Sequence, residues 1–461
     1  MIIGFFGATV IASVIVKPIR LLENHVKKIS EIQDKEQLDG YEIEIKSRDE
    51  IRILGDSINE MTRGLVKAAK DEKIAMEKEK MELDGKAVQQ TFIPLNPNRE
   101  GRKETTAALD EKDVQFFGYY EGADAVSGDY FDYRKLDDRW YAVIKCDVSG
   151  HGVPAALIMT AVATQFRKYF ETWSFGKEGI RLNELVTSIN DFIESLGVKG
   201  KFATLMVCLF DTKTGDVYMC NAGDNIIHIF DSAERVQKKI TLHEAPAAGP
   251  LPSFMVEMKG GFKVEKVTLK KDDVLFLYTD GIEEATRFFR DSKFEVTSCS
   301  EPGLTEGEIH ENHKVGQQSE QMEPERVKDI VESLFNRVPY RLEKFHCPEP
   351  EEELIFDFSK CDGSIDECIL ALASVEKIFR IYKKNGAAGT VYRSESGDVI
   401  RQGDTVRVDR KIDEFLAKTF SQYNKYCSQK IDAGESNYIY YTGVNEDPQA
   451  DDLTLLALRK K

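Results

Sequence analysis

Hydrophobic positions near the start of the chain repeat with the spacing of helices that pack against one another. Two such series flank an irregular connector: Ile19, Leu22, Val26 and Ile29, then Ile51, Leu54, Ile58, Met61 and Leu65. Steps of three and four place these side chains on one stripe of a helix, as in the seam of a coiled coil. The pattern predicts two helices that need a partner, which parallel packing of two chains supplies. An amphipathic helix pair without a signalling role is the alternative.

Residues 69–93 continue as a predicted helix that is dense in Lys and Glu. Ile74, Met81 and Val88 recur every seven residues, out of step with Leu65. Such a shift of the seam within a continuous coiled coil would let a pair of helices transmit rotation. A solvated, charged helix without a partner is the alternative. Prolines end the helix, and the polar residues 94–112 are predicted to form a linker.

Residues 1–16 are strongly apolar and carry no charge, and the basic residues Lys17 and Arg20 follow directly. Their length falls short of the roughly 20 residues that cross a bilayer. A signal peptide would begin with basic residues, which this stretch lacks. We expect the end of a transmembrane segment, truncated in this sequence, with a cytoplasmic exit because basic residues follow it. A buried helix of a soluble domain is the alternative.

Beyond residue 113 the pattern changes to short runs of β-branched and aromatic residues. These runs predict strands at 114–120, 140–146, 203–211, 217–221, 226–230, 264–269 and 274–278. Two helical patterns, at 153–170 and 180–196, lie together between strands. Grouped strands with grouped helices favour a layered α+β fold over a doubly wound sheet.

Residues 291–450 interrupt the strand pattern. They begin with polar, loop-like sequence and then show helical patterns at 326–337, 365–384 and 409–426, with a strand predicted at 354–358. The stretch carries no recognisable chemistry. We therefore interpret it as an insertion in a domain that extends from 113 to 461.

Composition limits the partners and the compartment. The formal net charge of −17 argues against nucleic acid or an anionic lipid surface as the main partner. The eight cysteines include no Cys-x-x-Cys pair, so we expect reduced thiols, as in the cytosol. None of them is followed six positions later by Arg, which excludes the cysteine-phosphatase loop.

A final strand is predicted at 451–458. Aspartates that stand next to glycine or another acid are interpreted as the ends of β runs: Asp129, Asp147, Asp280, Asp451 and Asp452. Each alone is a common turn residue, and independent turn caps are the alternative. If the strand ends converge, the carboxylates become hard oxygen ligands that suit Mg²⁺ or Mn²⁺ rather than zinc. Two such ions can promote in-line displacement at phosphorus.

The segment Asp-Val-Ser-Gly-His-Gly at 147–152 joins a predicted strand to a predicted helix. Pro154 suits the first turn of that helix. A carboxylate, a histidine and a glycine-rich backbone at such a junction are typical of anion or metal chemistry. His151 is a candidate proton donor to a leaving group, because imidazole titrates near working pH. A helix cap or a hydrogen bond to a turn carbonyl is the alternative for His151.

Five motifs, in order, resemble those of the metal-dependent PPM superfamily of serine/threonine phosphatases, and more narrowly its bacterial SpoIIE-like branch. They are Val-Ser-Gly-Asp at 126–129, the 147–152 segment, Asn-Ala-Gly at 221–223, Tyr-Thr-Asp-Gly at 278–281 and Asp-Asp-Leu-Thr at 451–454. Residues 89–94 also resemble the end of the regulatory helix that precedes this catalytic domain. Residues 17–68 resemble the HAMP signalling module, through Pro18, Asp49-Glu50 and Asn59-Glu60-Met61.

For the catalytic domain, this resemblance implies an αββα sandwich, with two antiparallel sheets between helix layers. Asp147 would bridge two Mn²⁺ or Mg²⁺ ions, with the Val148 carbonyl as a further ligand. Asp280 and Asp451 would hold the first ion and Asp129 the second.

Two further acids, Asp132 and Asp452, would be outer-shell or third-metal groups by the same resemblance. One position departs from the branch, which usually has Asn-Ala-Gly-His. This chain has Asp224 where the histidine would stand.

The resemblance implies a phosphatase that acts on phosphoserine or phosphothreonine of a protein, as SpoIIE-like relatives do on STAS-type anti-anti-sigma proteins. HAMP modules are parallel dimers, so we expect a homodimer through HAMP and the linker helix. The location would be the inner (cytoplasmic) membrane, with the catalytic domain in the cytoplasm. A catalytically weak pseudophosphatase that binds a phosphoprotein is the alternative. A histidine kinase, a second class that often follows HAMP along with nucleotide cyclases, is disfavoured because no histidine lies between His25 and His151.

Overall fold

The computed structural model describes residues 15–46, 49–98, 101–123, 126–291, 294–298, 316–344, 352–383, 391–393, 399–401, 405–432 and 437–461. The chain divides into two units, Met1–Asp84 and Gly85–Lys461. The described residues of the first unit form α1 (Lys17–Glu31), a 3₁₀ turn (Lys35–Leu38) and most of α2 (Glu50–Gln89). The last turns of α2, from Gly85 onward, belong to the second unit.

A small core and one side-chain amide organise the first unit. Ile29, Leu38 and Val66 pack together as buried residues. The Asn59 amide makes two hydrogen bonds with the backbone of Ile43: the Ile43 N–H donates to Oδ1, and Nδ2 donates to the Ile43 carbonyl, both at 2.9 Å. These bonds attach the extended connector to α2.

The apolar stripe predicted within 17–68 is divided between buried and exposed positions in the single chain. Leu22 and Ile29 are buried, whereas Val26, Leu54 and Met61 are exposed. An exposed apolar stripe at this spacing is what a second helix would cover. The homodimer stays a prediction.

The predicted membrane segment, 1–16, lies outside the described residues except for its last two positions. In the part of the chain that the structure describes, no helix is both long enough and apolar enough to cross a bilayer. The membrane span therefore stays a prediction.

Two antiparallel β-sheets form the centre of the second unit. Their strands, in chain order, are β1 (Thr106–Asp110), β2 (Val114–Glu121), β3 (Tyr130–Lys135), β4 (Trp140–Val148), β5 (Ala203–Asp211), β6 (Asp216–Ala222), β7 (Ile226–Asp231), β8 (Val236–Thr241), β9 (Val264–Thr268), β10 (Val274–Tyr278) and β11 (Leu453–Lys460). The first sheet has the order β1-β2-β11-β10-β7-β8, and the second has the order β3-β4-β5-β6-β9. The C-terminal strand β11 thus lies inside the first sheet.

Helices cover the outer face of each sheet. The main helices are α3 (Val153–Glu171), α4 (Leu182–Ser195), α5 (Glu323–Asn336), α6 (Ile365–Arg380) and α7 (Arg410–Thr419). Helices α3 and α4 pack on the second sheet, while α5 and α6 pack on the first and α7 packs on α6. The second unit is therefore an αββα sandwich, as the resemblance implies.

Shorter elements connect these layers. The short helices are Phe175–Glu178, Ser253–Met258 and Tyr423–Tyr426, and the 3₁₀ turns are Asp280–Ile282 and Phe358–Lys360. The short strands are Thr286–Phe288, Ser319–Gln321, Pro339–Lys344, Glu352–Asp357, Ile381–Lys383, Val391–Arg393, Val399–Arg401, Thr405–Asp409, Lys430–Asp432, Tyr438–Thr442 and Val444–Glu446.

Residues 291–450, interpreted from the sequence as an insertion, supply one outer layer of the sandwich. Helix α6 lies on β2 and β11, and its residues Leu372, Val375 and Phe379 are fully buried. The helix predicted at 365–384 ends at Arg380, and the chain continues as a short strand. The helix predicted at 409–426 is instead two helices. Periodicity identified the apolar face of α6 but not the sheet that this face covers.

Sequence alone does not predict β1, β3 or β8. Strand β1 lies within the predicted linker 94–112, yet it pairs with β2 and buries Ala107 completely. In β3 and β8, polar residues such as Asp132 and Lys238 interrupt the alternation that marks a strand.

We expect Leu372→Ala to lower the free energy of unfolding of the second unit by about 2–5 kcal/mol, because it opens a cavity between α6 and the first sheet. Urea unfolding of the full chain, followed by circular dichroism, measures this. Met258→Ala is the control, since Met258 is 83% exposed and its loss should change stability by at most about 0.5 kcal/mol. Equal effects of the two substitutions would show that α6 is a dispensable insertion.

Candidate functional site

Strand pairing brings four of the predicted aspartates, Asp129, Asp147, Asp280 and Asp451, to one edge of the sandwich, two from each sheet. In the second sheet Tyr130 pairs with Cys146, which places Asp129 and Asp147 at neighbouring strand ends. In the first sheet Tyr278 pairs with Leu455, so the end of β10 that leads to Asp280 lies beside the start of β11. The structure therefore brings together the four strand ends that the sequence singles out.

Direct hydrogen bonds join the two sheets at this edge. The Thr279 hydroxyl donates to Asp129 Oδ2 at 2.7 Å. The carboxylate of Asp452 accepts from the Ala123 N–H at 2.8 Å and from the Gly128 N–H at 3.0 Å. Residues of the first sheet thus hold the loop that carries Asp129.

Two glycines permit this close approach of the backbone. A Cβ on Gly128 would lie 2.6 Å from the Val148 carbonyl oxygen, and a Cβ on Gly281 would collide with the Asp452 carbonyl. Neither contact can be relieved by a rotating side chain, because the atoms belong to the main chain. Gly-Asp and Asp-Gly therefore occur here because other residues at 128 and 281 would separate the strands.

The neighbouring carboxylates perturb one another's protonation. Burial, and then the charges of Asp280 and Asp451, raise the pKa of Asp147 to about 7. Burial and the charge of Asp147 raise the pKa of Asp129 well above its usual value. Burial and the charge of Asp451 also raise the pKa of Asp280. Acids from both sheets are therefore within electrostatic reach of Asp147.

This set of donors fits divalent cations that prefer oxygen ligands. In their present rotamers, no three acidic, histidine or cysteine side chains among the described residues converge on one point as metal ligands. Repulsion among the negatively charged carboxylates keeps these side chains apart, and a divalent cation between them would remove the repulsion. The chemistry of the group matches Mg²⁺ or Mn²⁺, and the assignment of individual ligands stays a prediction.

The acids predicted as outer groups have partners within the protein. Asp132 accepts from the Tyr130 hydroxyl at 3.0 Å and forms an ion pair with Arg167, with 3.1 Å between Nε and Oδ2. Arg167 also donates to the Phe92 carbonyl at 2.6 Å. Asp132 therefore ties β3 to α3, and Asp452 binds the backbone of the loop before Asp129, so both act here through protein contacts.

His151 is exposed and lies in the loop between β4 and α3, four residues after Asp147. The N-cap position of α3 is Gly152, and Pro154 is in its first turn, as predicted. Gly150 and Gly152 have φ values of 73° and 76°, which other residues rarely adopt. The Ser149 carbonyl accepts from Lys201 Nζ at 2.6 Å, which anchors this loop. The role of His151 as a proton donor stays a prediction.

Sequence reasoning missed two contacts of the site. Lys145, two residues before Asp147, forms an ion pair with Asp224, with 2.6 Å between Nζ and Oδ2. Its signal was a lysine in an otherwise apolar strand, on the same face as Asp147. The buried Gln89 at the end of α2 makes two hydrogen bonds with the backbone of Ser127, which precedes Gly128 and Asp129.

Comparison with known families identifies two regions of the chain. Residues 137–317 match the family described as Stage II sporulation protein E (SpoIIE), and residues 10–67 match the HAMP domain. The first match includes Asp147 and Asp280. The motifs and the comparison therefore agree on both domains.

Individual relatives are more distant. The chain is 27% identical over 273 residues to Protein IcfG of Synechocystis sp., which covers 53% of this chain and 39% of that protein. It is 26% identical over 174 residues to phosphoserine phosphatase RsbP of Bacillus subtilis, and this alignment covers 38% of this chain and 40% of that protein. The chain thus spans about two fifths of the length of these relatives. The SiaA-PP2C domain of Pseudomonas aeruginosa aligns with a TM-score of 0.41 and 14% identity, covering 86% of this chain and 100% of that domain.

We expect the melting temperature of the metal-free protein to fall as pH rises from 5 to 8, and Asp147→Asn to reduce that fall by a few degrees. The folded pKa of Asp147, about 7, exceeds its unfolded value of about 4, so the folded state binds more protons than the unfolded state between these two pH values. The resulting stability is present at low pH and is lost as pH rises through the folded pKa. Calorimetry in chelator measures the slope, with the exposed Asp138→Asn as the control. Equal slopes for the wild type and Asp147→Asn would contradict the coupling.

Proposed function

Because the chain contains a phosphatase domain of the SpoIIE type and a HAMP domain, we propose that it is a metal-dependent protein serine/threonine phosphatase under HAMP control. The observation that supports this best is the approach of Asp129, Asp147, Asp280 and Asp451 from strand ends of both sheets. Such an arrangement of like charges is costly unless cations neutralise it.

Two Mn²⁺ or Mg²⁺ ions would supply Lewis acidity toward a phosphoryl group and would activate the attacking water. The charge of Asp147 interacts with acids of both sheets. We therefore assign Asp147 as a ligand of both ions, with the Val148 carbonyl as a further ligand. We assign Asp280 and Asp451 to the first ion and Asp129 to the second.

Other residues of the chain would hold this machinery in place. Thr279 orients Asp129 through its hydroxyl hydrogen bond. Asp452 fixes the loop before Asp129 through two backbone N–H groups. We assign the exposed His151 the transfer of a proton to the departing serine or threonine oxygen.

The proposed substrate is a phosphorylated regulator protein, of the STAS type that SpoIIE-like phosphatases act on. An open cleft of about 230 Å³ adjoins the acids and is lined by Asp147, Thr204, His228, Lys239 and Asp280, among others. A phosphorylated side chain on a protein surface can approach Asp147 and Asp280 through this opening.

We propose that HAMP controls the phosphatase through α2 and that two chains associate through HAMP and the linker helix. Helix α2 extends from the first unit to Gln89, whose amide binds the backbone of Ser127. The exposed Val26, Leu54 and Met61 support a second helix as partner. Attachment to the inner membrane, with the phosphatase in the cytoplasm, is proposed from the uncharged residues 1–16 and the basic residues that follow.

We expect Asp147→Asn to lower Mn²⁺-dependent hydrolysis of a phosphoserine peptide at least about a hundredfold, since it removes a charge that the transition-state electrostatics require. Steady-state kinetics of the full chain with Mn²⁺, and again with chelator, measure this. Asp138→Asn, which removes a fully exposed carboxylate, is the control. Equal rates for the wild type and Asp147→Asn would contradict the proposal and favour a phosphoprotein-binding module.

We expect Gln89→Ala to reduce kcat several-fold without unfolding the protein, because the loop before Asp129 loses two hydrogen bonds worth roughly 1 kcal/mol each. Gln90→Ala is the matched control, since Gln90 is the neighbouring, partly exposed glutamine outside the predicted seam. Kinetics and thermal melting of both variants separate a loss of coupling from a loss of stability. An unchanged kcat in Gln89→Ala would argue against control through the end of α2.

A further inference from the structure

A buried ion pair lies beside the acids of the site. Lys145 is 8% exposed, and its ammonium lies 2.6 Å from Asp224 Oδ2 and donates to the Tyr278 carbonyl at 2.8 Å. Side chains two residues apart on a strand point to the same face, so Lys145 lies one step further into the sandwich than Asp147. Asp224 follows Gly223 in the turn between β6 and β7.

The pair faces the same cleft as the proposed metal ligands. Lys145 and Asp224 line it together with Asp147 and Asp280. The positive charge of Lys145 opposes the upward shift in the pKa values of Asp147 and Asp280. Burial alone would lower the pKa of Lys145, but the ion pair with Asp224 and the charge of Asp129 outweigh burial and raise it. Lys145 is therefore a fixed positive charge within reach of the acids.

Stability alone does not account for this pair. The desolvation of two buried charges offsets most of their attraction, so an apolar pair of similar volume is often as stable. A second ion pair shows the contrast: the half-exposed Arg139, just before β4, pairs with Asp211 at the end of β5, at the end of these strands away from Asp147. Lys145 differs from Arg139 in its burial and in the group of carboxylates beside it.

We propose that the Lys145–Asp224 pair sets the divalent-cation affinity of the acid cluster. Lys145 acts as a resident cation that relieves repulsion among Asp129, Asp147 and Asp280. Asp224, with the Tyr278 carbonyl, holds the ammonium back from those carboxylates, so that they remain open to metal ions. Both are positioning residues, and the inference rests on the proposed function because it takes the acids to be metal ligands.

Loss of either partner alone therefore has opposite consequences. Without Lys145, Asp224 becomes an additional uncompensated carboxylate beside the cluster and attracts cations. Without the charge of Asp224, the ammonium turns toward Asp147 or Asp280 and competes with metal ions. Removing both charges leaves the net charge beside the acids unchanged, so the affinity for divalent cations should return toward that of the wild type.

Titration calorimetry of the metal-free full chain with MnCl₂ tests this. We expect Lys145→Met to tighten Mn²⁺ binding roughly tenfold, Asp224→Asn to weaken it roughly tenfold, and the double variant to return within about threefold of the wild type. Lys145→Gln, which keeps a polar partner for Tyr278, should tighten binding like Lys145→Met if the latter folds poorly. Arg139→Met and Asp211→Asn, which disrupt an ion pair at the far end of β4 and β5, are the controls and should leave the affinity unchanged.

Melting temperatures provide a second readout. Lys145→Met should melt below the wild type without metal and recover in excess Mn²⁺, whereas a merely structural role would lower both values equally. If the wild type binds Mn²⁺ but the two single variants shift the affinity in the same direction, or do not shift it, the inference about Lys145 and Asp224 is overturned and the proposed function is not. A wild type that binds no Mn²⁺ would overturn the metal-dependent phosphatase as well.

Discussion

Electrostatic repulsion among carboxylates is the constraint on which the second unit depends. Each sheet contributes one pair of strand ends, Asp129 with Asp147 from the second and Asp280 with Asp451 from the first. Burial of apolar side chains in the two layers supplies the free energy that holds these like charges together. A cation that binds the folded state only would add its binding free energy to stability. Folding and the proposed metal binding would thus be linked at this edge of the sandwich.

The loop before Asp129 is where the parts of the second unit meet. Gln89 of α2 binds its backbone at Ser127, and Asp452 of the first sheet binds it at Gly128. A displacement of the end of α2 therefore cannot leave the backbone beside Asp129 unchanged. This gives helix α2 a physical route to one proposed ligand, while Lys145 and its partner act on the same acids from inside the sandwich.

The sequence predicts the parts of this fold whose hydrophobic pattern is uninterrupted. Strand β5 and the helix α3 were predicted from apolar runs and periodicity, and the strand-end position of Asp147 was readable from its motif. The strand β3 could not be predicted, because the charged Asp132 interrupts its apolar pattern. Asp132 is tolerated in the interior since Arg167 of α3, distant in sequence, forms an ion pair with it. The layer formed by α6 was missed because periodicity does not reveal which surface a helix covers. The pairing of Lys145 likewise depends on a turn distant in sequence.

Anomalous scattering at the manganese absorption edge, from crystals of the full chain grown with Mn²⁺, tests the central claim most directly. The account predicts two manganese ions among Asp129, Asp147, Asp280 and Asp451, and their loss in Asp147→Asn. Manganese bound only at a distance from these four carboxylates, or an unchanged pattern in Asp147→Asn, would contradict it.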